Sequence, residues 1–310
     1  MLASGCAVQT QALRGAPPAG LPARAELDAT PFFPQTEYQC GPAALATALG
    51  GIGLDAQPER LAEQIFLPAR TGTLQIEMIA GARRQGAVAT RIPATLEAAL
   101  REVAAGAPVV VLLNLGLSWY PAWHYAVLVG YDLEAGEVLL RSGTTRREVM
   151  AMRSFEHTWT RAGAWAFVAT RPGQWPATAE PKAIVEAAVG FERAAVPVQA
   201  TQAYRSALQR TGPELTLQMG LGNSLYAGGD KPAAEQAFRR AAEDHSESAP
   251  AWINLAGTRV ELGDAAGAVE AARRAVALND PAWQAQADAA LRQALAAGAV
   301  AQPKVSSGRR

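Results

Sequence analysis

The sequence predicts an α+β domain followed by an all-α domain, and three observations carry the prediction. Apolar residues at helical spacing come first, and β-branched runs separated by a hairpin turn come after them. Helices segregated from an antiparallel set of strands define the α+β class. A Pro-rich stretch, Arg171-Pro-Gly-Gln-Trp-Pro-Ala-Thr-Ala-Glu-Pro181, then breaks the pattern, and beyond it the chain is Ala-rich with motifs that recur at a fixed period. A chain of 310 residues has room for two modest domains, and 49% hydrophobic against 18% charged residues marks it as globular.

The elements follow in order. Pro42 to Leu49 opens a helix, with Leu45, Ala48 and Leu49 on one face, and Gly50-Gly51 ends it. Residues 57–66, 73–85 and 94–105 read as further helices. Pro108-Val-Val-Val-Leu-Leu-Asn114 is a buried strand by its β-branched run. His124-Tyr-Ala-Val-Leu-Val-Gly-Tyr131 is a second. Glu134-Ala-Gly-Glu137 is a hairpin turn from which Val138-Leu-Leu-Arg-Ser142 returns antiparallel. Trp165-Ala-Phe-Val-Ala-Thr170 supplies the last strand.

The domain boundaries expected from this reading are 31–172 for the α+β domain, 173–181 for a linker, 182–297 for the helical domain and 298–310 for a disordered tail. In the helical domain Gly228-Gly229-Asp230 returns as Leu262-Gly263-Asp264, a period of 34 residues. At the same offset Ala234 matches Ala268, Arg239-Arg240 matches Arg273-Arg274, and Ala241 matches Ala275. A helix–turn–helix unit of that length is the tetratricopeptide signature. A weaker third copy runs through Phe191, Ala200, Tyr204 and Ala207. Small residues let paired helices approach, and aromatics fill the gaps between repeats.

Several function classes are excluded by composition. The 28 basic and 28 acidic residues cancel and no Lys/Arg cluster stands out, so no nucleic-acid partner is expected. No apolar run reaches the roughly 18 residues of a membrane span. Two cysteines make no disulfide framework, and His124, His157 and His245 lack metal-ligand spacing, so neither a metal nor a cofactor is expected.

Met1-Leu-Ala-Ser-Gly-Cys6 resembles the end of a bacterial lipoprotein signal peptide, in which small residues precede a cysteine that is acylated. The charged and apolar regions of such a peptide are not in the sequence, which implies a start placed too late or a truncated chain. Residues 7–30, rich in Ala, Pro and Gln and without periodicity, read with it as a flexible tether over 1–30. The resemblance implies lipidation of Cys6 and a place on the periplasmic face of the outer membrane. The alternative is a chance cysteine in a disordered tail.

Cys40 raises the chemical question. A free thiol with a pKa of about 8.5 is mostly protonated at neutral pH, and a helix N-terminus or a nearby imidazolium lowers it. Cys40-Gly41-Pro42 supplies the first, since Pro favours the first helical turn. His124, opening an apolar strand in the same domain, is the candidate for the second. The alternative is a buried structural thiol, a common environment for Cys.

Gln35…Cys40-Gly-Pro-Ala-Ala-Leu followed by His124-Tyr-Ala-Val-Leu-Val-Gly-Tyr resembles the bacteriocin-processing (double-glycine leader) peptidases, which are papain-like cysteine peptidases. The resemblance covers roughly residues 31–170. It implies a papain-like domain in which Cys40 attacks a peptide carbonyl, His124 shuttles the proton and Gln35 helps form the oxyanion hole. Two departures stand out. Gln35 lies five residues before the cysteine where the family has six, and the Asp or Asn expected after the histidine strand is missing. Antiparallel return about 134–137 brings Ser142 or a neighbour beside His124 as an orienting residue instead.

Trp119-Tyr-Pro-Ala-Trp123 reads either as core packing or as the wall of a peptide groove. Arg141, Arg146 and Arg147 read as a solvated hairpin face or as contacts to an acidic substrate. The resulting expectation is a cysteine peptidase with a Cys–His dyad, whose repeats recruit a protein partner or substrate. The alternatives are an inactive peptidase-like domain that binds peptides without cutting, and a scaffold.

Overall fold

The computed structural model describes residues 7–35, 39–70 and 72–301, and its contacts divide the chain into two units at Ala195/Val196. The first unit runs α1 (Val8–Gly15), β1 (Arg24–Glu26), α2 (Cys40–Gly51), α3 (Pro58–Ile65) and α4 (Gln75–Arg84). It continues through β2 (Val88–Arg91), α5 (Leu96–Ala104), β3 (Val109–Asn114), β4 (Trp123–Asp132), β5 (Glu137–Ser142) and β6 (Thr145–Ala151). α6 (Met152–Arg161), β7 (Ala166–Thr170) and α7 (Pro181–Glu192) complete it. The strands form one antiparallel sheet in the order β2-β7-β3-β4-β5-β6, with β1 also pairing β4.

Period-two alternation splits the strand side chains between two cores. Val110, Leu112, Tyr125, Val127 and Phe167 meet α2, α3 and α4 on one face. Val109, Val111, Ala126, Leu128 and Val168 meet α5 and α6 on the other. A sheet covered on both faces explains why β3 and β7 are apolar up to their last residues, Asn114 and Thr170, and why all their residues are buried. α2 is the extreme case among the helices: every residue from Gly41 to Leu49 is buried. A helix apolar all round belongs inside a domain, and its Ala residues keep it thin enough to lie flat on the sheet.

The N-terminal segment differs from the tether expected of it. Residues 7–30 hold α1 and β1, and Leu13 and Leu21 are part of a core. The segment lacks periodicity because its anchors are polar. The buried Glu156 of α6 accepts from Gln9 N at 3.0 Å and Thr10 N at 2.7 Å, satisfying the first N–H groups of α1. Gln9 Oε1 in turn accepts from Leu96 N at the start of α5, and Tyr131 OH donates to Pro22 O. Cys6 lies outside the described residues. β2, β6 and α6 are also additions to the sequence reading. α6 buries Phe155 and Trp159 beneath a polar outer face.

The stretch 173–181 is tied down too. Glu102, fully buried, accepts from Ala177 N, Thr178 N and Thr178 Oγ1. α7, which carries Phe191 of the weak third copy, packs on β2 within the first unit.

The second unit is a run of helices: α8 (Pro197–Thr211), α9 (Leu215–Ala227), α10 (Lys231–Asp244), α11 (Ala249–Glu261), α12 (Ala265–Ala277) and α13 (Gln284–Ala301). Each packs on the next, and α11 also meets α13. The Asp of each repeated Gly-Asp pair caps a helix: Asp230 accepts from Ala233 N and Asp264 from Gly267 N. α13 reaches Ala301, so 298–301 are helical where a tail was expected, and 302–310 lie outside the described residues.

Two helical glycines make opposite predictions. A Cβ at Gly222 would stand 2.3 Å from the Phe238 ring, whereas one at Gly257 would meet nothing within 4 Å. Alanine in a helix interior gains about 1 kcal/mol over glycine, and overpacking a core costs about 1–3 kcal/mol. Gly257→Ala should therefore raise the thermal midpoint of the repeat unit and Gly222→Ala should lower it, measured by circular dichroism.

Candidate active site

The site is built around the backbone of one residue, Tyr125, near the start of β4. Tyr125 N–H faces the Cys40 sulfur and favours its ionised form, and Tyr125 O accepts from Gln35 Nε2 at 3.5 Å. In an antiparallel strand the N–H and C=O of one residue point to the same side. Thiol and amide therefore meet the same edge of β4, at Tyr125. Gln35 reaches this point despite its shortened spacing because its own N–H donates to Gly143 O at 3.0 Å, pinning it to the turn after β5.

Cys40 opens α2, so the N–H groups of Gly41 and Cys40 also face its sulfur. These donors favour the thiolate, as the helix-terminus argument expects. Burial is the larger effect and pushes the Cys40 thiol above its ordinary range. The sequence reading anticipated the donors but not the loss of water, which depends on the whole of α2 being inside.

His124 Nε2 and Ser142 Oγ are 2.9 Å apart. Ser142 thus stands beside the imidazole, and it is itself buried. Burial holds the His124 imidazole below its ordinary value, and the Glu148 carboxylate on β6 pulls it partly back up. Glu148 pairs with Leu140 across β5–β6 and follows two arginines, so nothing in its local sequence marks it as a neighbour of the histidine. His157 lies on α6 and His245 ends α10.

A cleft of about 660 Å³ opens from Cys40, lined by Leu74, Leu112, Trp123, Tyr125 and Ala162 with Arg70 at its margin. Tyr125 is the residue that sequence reasoning passed over. Its ring packs edge-on against Trp165 at 5.8 Å, and its hydroxyl donates to Thr73 O at 3.2 Å. Burial and the neighbouring Cys40 raise the phenol well above its usual range, so it remains a neutral donor. Gly41 is required by close approach: a Cβ there would stand 2.6 Å from Thr73 Oγ1.

The aromatic run before His124 is not core packing. Trp119 is 81%, Tyr120 74% and Trp123 56% exposed. The buried Asn114 holds this hairpin tip, its Oδ1 accepting from Gly116 N and Ala122 N, both at 3.0 Å. Arg141 departs from the solvated face expected of it. It is 3% exposed and its guanidinium donates to the carbonyls of Leu27, Asp28, Thr30 and Arg146. It therefore ties the chain that leads into Gln35 to the strand that carries Ser142. Arg147 does face solvent, paired with Glu26 at 2.7 Å.

With this geometry in place, two family models match the chain. Residues 27–167 match the Peptidase_C39 like family, and residues 197–251 and 219–285 match a tetratricopeptide repeat family. Solved structures that align include a C39-like peptidase from Bacillus anthracis, at 18% identity and a TM-score of 0.41 over 48% of this chain and 98% of that one. The peptidase domain of Streptococcus ComA, a bi-functional ABC transporter involved in a quorum sensing pathway, aligns at 19% identity and a TM-score of 0.38, over 46% of this chain and 98% of that one. MamA aligns at 15% identity and a TM-score of 0.31, over 39% and 80%. A search of curated protein sequences returned no match. The chain therefore carries a C39-peptidase-like domain followed by tetratricopeptide repeats.

Proposed function

We propose that the first domain is a cysteine peptidase acting through Cys40 and His124. The observation that carries this reading is the convergence of the Cys40 thiol and the Gln35 amide on the backbone of Tyr125, the residue next to His124, at the mouth of a cleft. Ser142 accepts from Nε2–H of His124, which leaves the Nδ1 lone pair as the base. Nδ1 takes the thiol proton as sulfur attacks the scissile carbonyl, forming the C–S bond and placing the electron pair on oxygen. Gln35 Nε2 and the Cys40 N–H then stabilise that oxyanion. The imidazolium gives its proton to the leaving amine as the C–N bond breaks, and a water deprotonated by His124 releases the acid and restores the thiol.

A second reading, peptide binding without cleavage, has one observation in its favour. Burial holds both thiol and imidazole neutral, and a serine stands where a carboxylate would stabilise the imidazolium. The repeat unit is proposed to recruit a protein partner or substrate. A cleft of about 350 Å³ between α8, α9 and α10, with Arg205 and Arg240 in its wall, offers a place for it. Cys6 is proposed as a lipid-anchor site that holds the protein at the outer membrane. Cys6→Ser should move full-length protein from the detergent phase to the aqueous phase, and unchanged partitioning would remove the anchor.

With a fluorogenic peptide mixture, Cys40→Ala should abolish cleavage and His124→Ala should lower kcat/KM by about 10²–10⁴. Ser142→Ala removes one orienting hydrogen bond worth about 0.5–1.5 kcal/mol, so a loss of about 3–10-fold is expected. Retained cleavage in Cys40→Ala rules out the nucleophile.

The pH dependence has a definite sign. The active base is neutral His124, whose pKa lies below its ordinary 6.5, so activity should hold as pH falls through 6.5 and be lost only lower. Glu148→Gln removes the charge that favours the imidazolium and should move that acid limb further down. Iodoacetamide should react slowly with native Cys40 at pH 7 and faster only above the ordinary range of a free thiol. Fast alkylation at pH 6 would show a resting ion pair instead.

A further inference from the structure

We propose that the cleft beside Cys40 receives a large apolar side chain of the peptide, adjoining the scissile bond, so that the chain selects Leu- or Phe-type residues there and not paired glycines. The proposal rests on the peptidase reading and adds the substrate class to it. Its first ground is size. A cleft of about 660 Å³ against the sulfur is far more room than a glycine pair occupies. Such a pair would leave the walls wet.

The second ground is the chemistry of those walls. Leu74, Leu112, Trp123, Tyr125 and Ala162 present hydrocarbon and ring faces. Of the polar groups in the lining, the Tyr125 hydroxyl is already used, since it donates to Thr73 O, and the others, from Arg70, Thr73 and Gln75, come from one short segment of chain. Burial holds that phenol neutral. Arg70 is the one charged residue among the lining, and it is exposed.

The third ground is the rim. Leu74 and Ile76 on one side are 41% and 70% exposed, and Trp123 on the other is 56% exposed. Trp123 is continuous with the hairpin tip, where Leu117, Trp119 and Tyr120 are more than half exposed. Asn114 and the Leu117–Tyr120 bridge brace this tip, with its apolar surface turned outward. Exposed apolar surface contiguous with a cleft marks a binding surface, and an extended apolar peptide fits this one.

The test uses two peptidyl acyloxymethyl ketones identical except beside the reactive carbonyl, one carrying Gly-Gly and one carrying Phe or Leu. Cys40 modification in full-length protein is followed by intact mass. The apolar probe should react at least about tenfold faster, the discrimination one apolar subsite supplies. Leu112→Trp and, independently, Ala162→Phe fill the cleft and should bring the two rates together, with circular dichroism reporting the fold of each. Equal rates in the unsubstituted protein, or a faster Gly-Gly probe, overturn the apolar subsite while leaving the peptidase reading standing. If neither probe reacts and Cys40 alkylates only in denaturant, the peptidase reading falls and the subsite with it.

Discussion

The burial of α2 is the constraint on which the rest of the first domain depends. A helix with no polar face has one stable position, between the sheet and the α3/α4 layer, and that position puts its N-terminal cysteine at the edge of β4. Everything chemical at the site follows from this placement. The thiol gains the Tyr125 N–H because the helix lies flat on the strand, and it loses water for the same reason. The approach to α2 is then held by Arg141, whose guanidinium collects carbonyls from 27–30 and so sets where Gln35 enters. Arginine suits that role because its five donors fan out in one rigid plane and its charge persists when buried.

Most of the fold was legible, and the parts that were not share a physical cause. β3, β4, β5 and β7 announce themselves by β-branched runs, and the repeat unit by its 34-residue period, because their stability comes from apolar burial that composition records. α1 and β1 do not, because what holds them is a set of polar contacts to distant partners: Glu156 on the N–H groups of α1, Gln9 on α5 and Tyr131 on Pro22. Such contacts leave no periodic trace. α6 is a milder case, in which Ser154-Phe-Glu-His-Thr-Trp159 reads as polar although its two rings fill the core beneath the sheet.

The site divides in the same way. Cys40, His124 and Gln35 were legible as residue types in an order that resembles a peptidase, and Ser142 from the strand return. Tyr125 was not, because alternation assigns it to the core and nothing in its neighbours shows that its backbone serves the thiol while its ring forms a cleft floor. Nor was Glu148, whose influence on His124 crosses two strands. The direction of the thiol's shift was unreadable for a related reason: donors can be counted along a chain, but desolvation belongs to the assembled layers.

That desolvation shapes how the proposed reaction must run. A thiolate–imidazolium pair at rest needs a carboxylate or solvent to stabilise its charges, and this site gives the imidazole a serine. A serine hydroxyl fixes the ring and its tautomer without favouring the charged form. Burial then acts against charge on either partner before substrate arrives. In the attack, however, negative charge need not rest on sulfur. It passes to the carbonyl oxygen as the proton passes to Nδ1, and there it meets the Gln35 amide, a donor held at the site through Gly143. The same burial that penalises a free thiolate strengthens that hydrogen bond. A site of this construction is quiet toward small electrophiles and becomes reactive only when a bound carbonyl supplies the acceptor, which makes the fit of the peptide in the cleft part of the activation of Cys40.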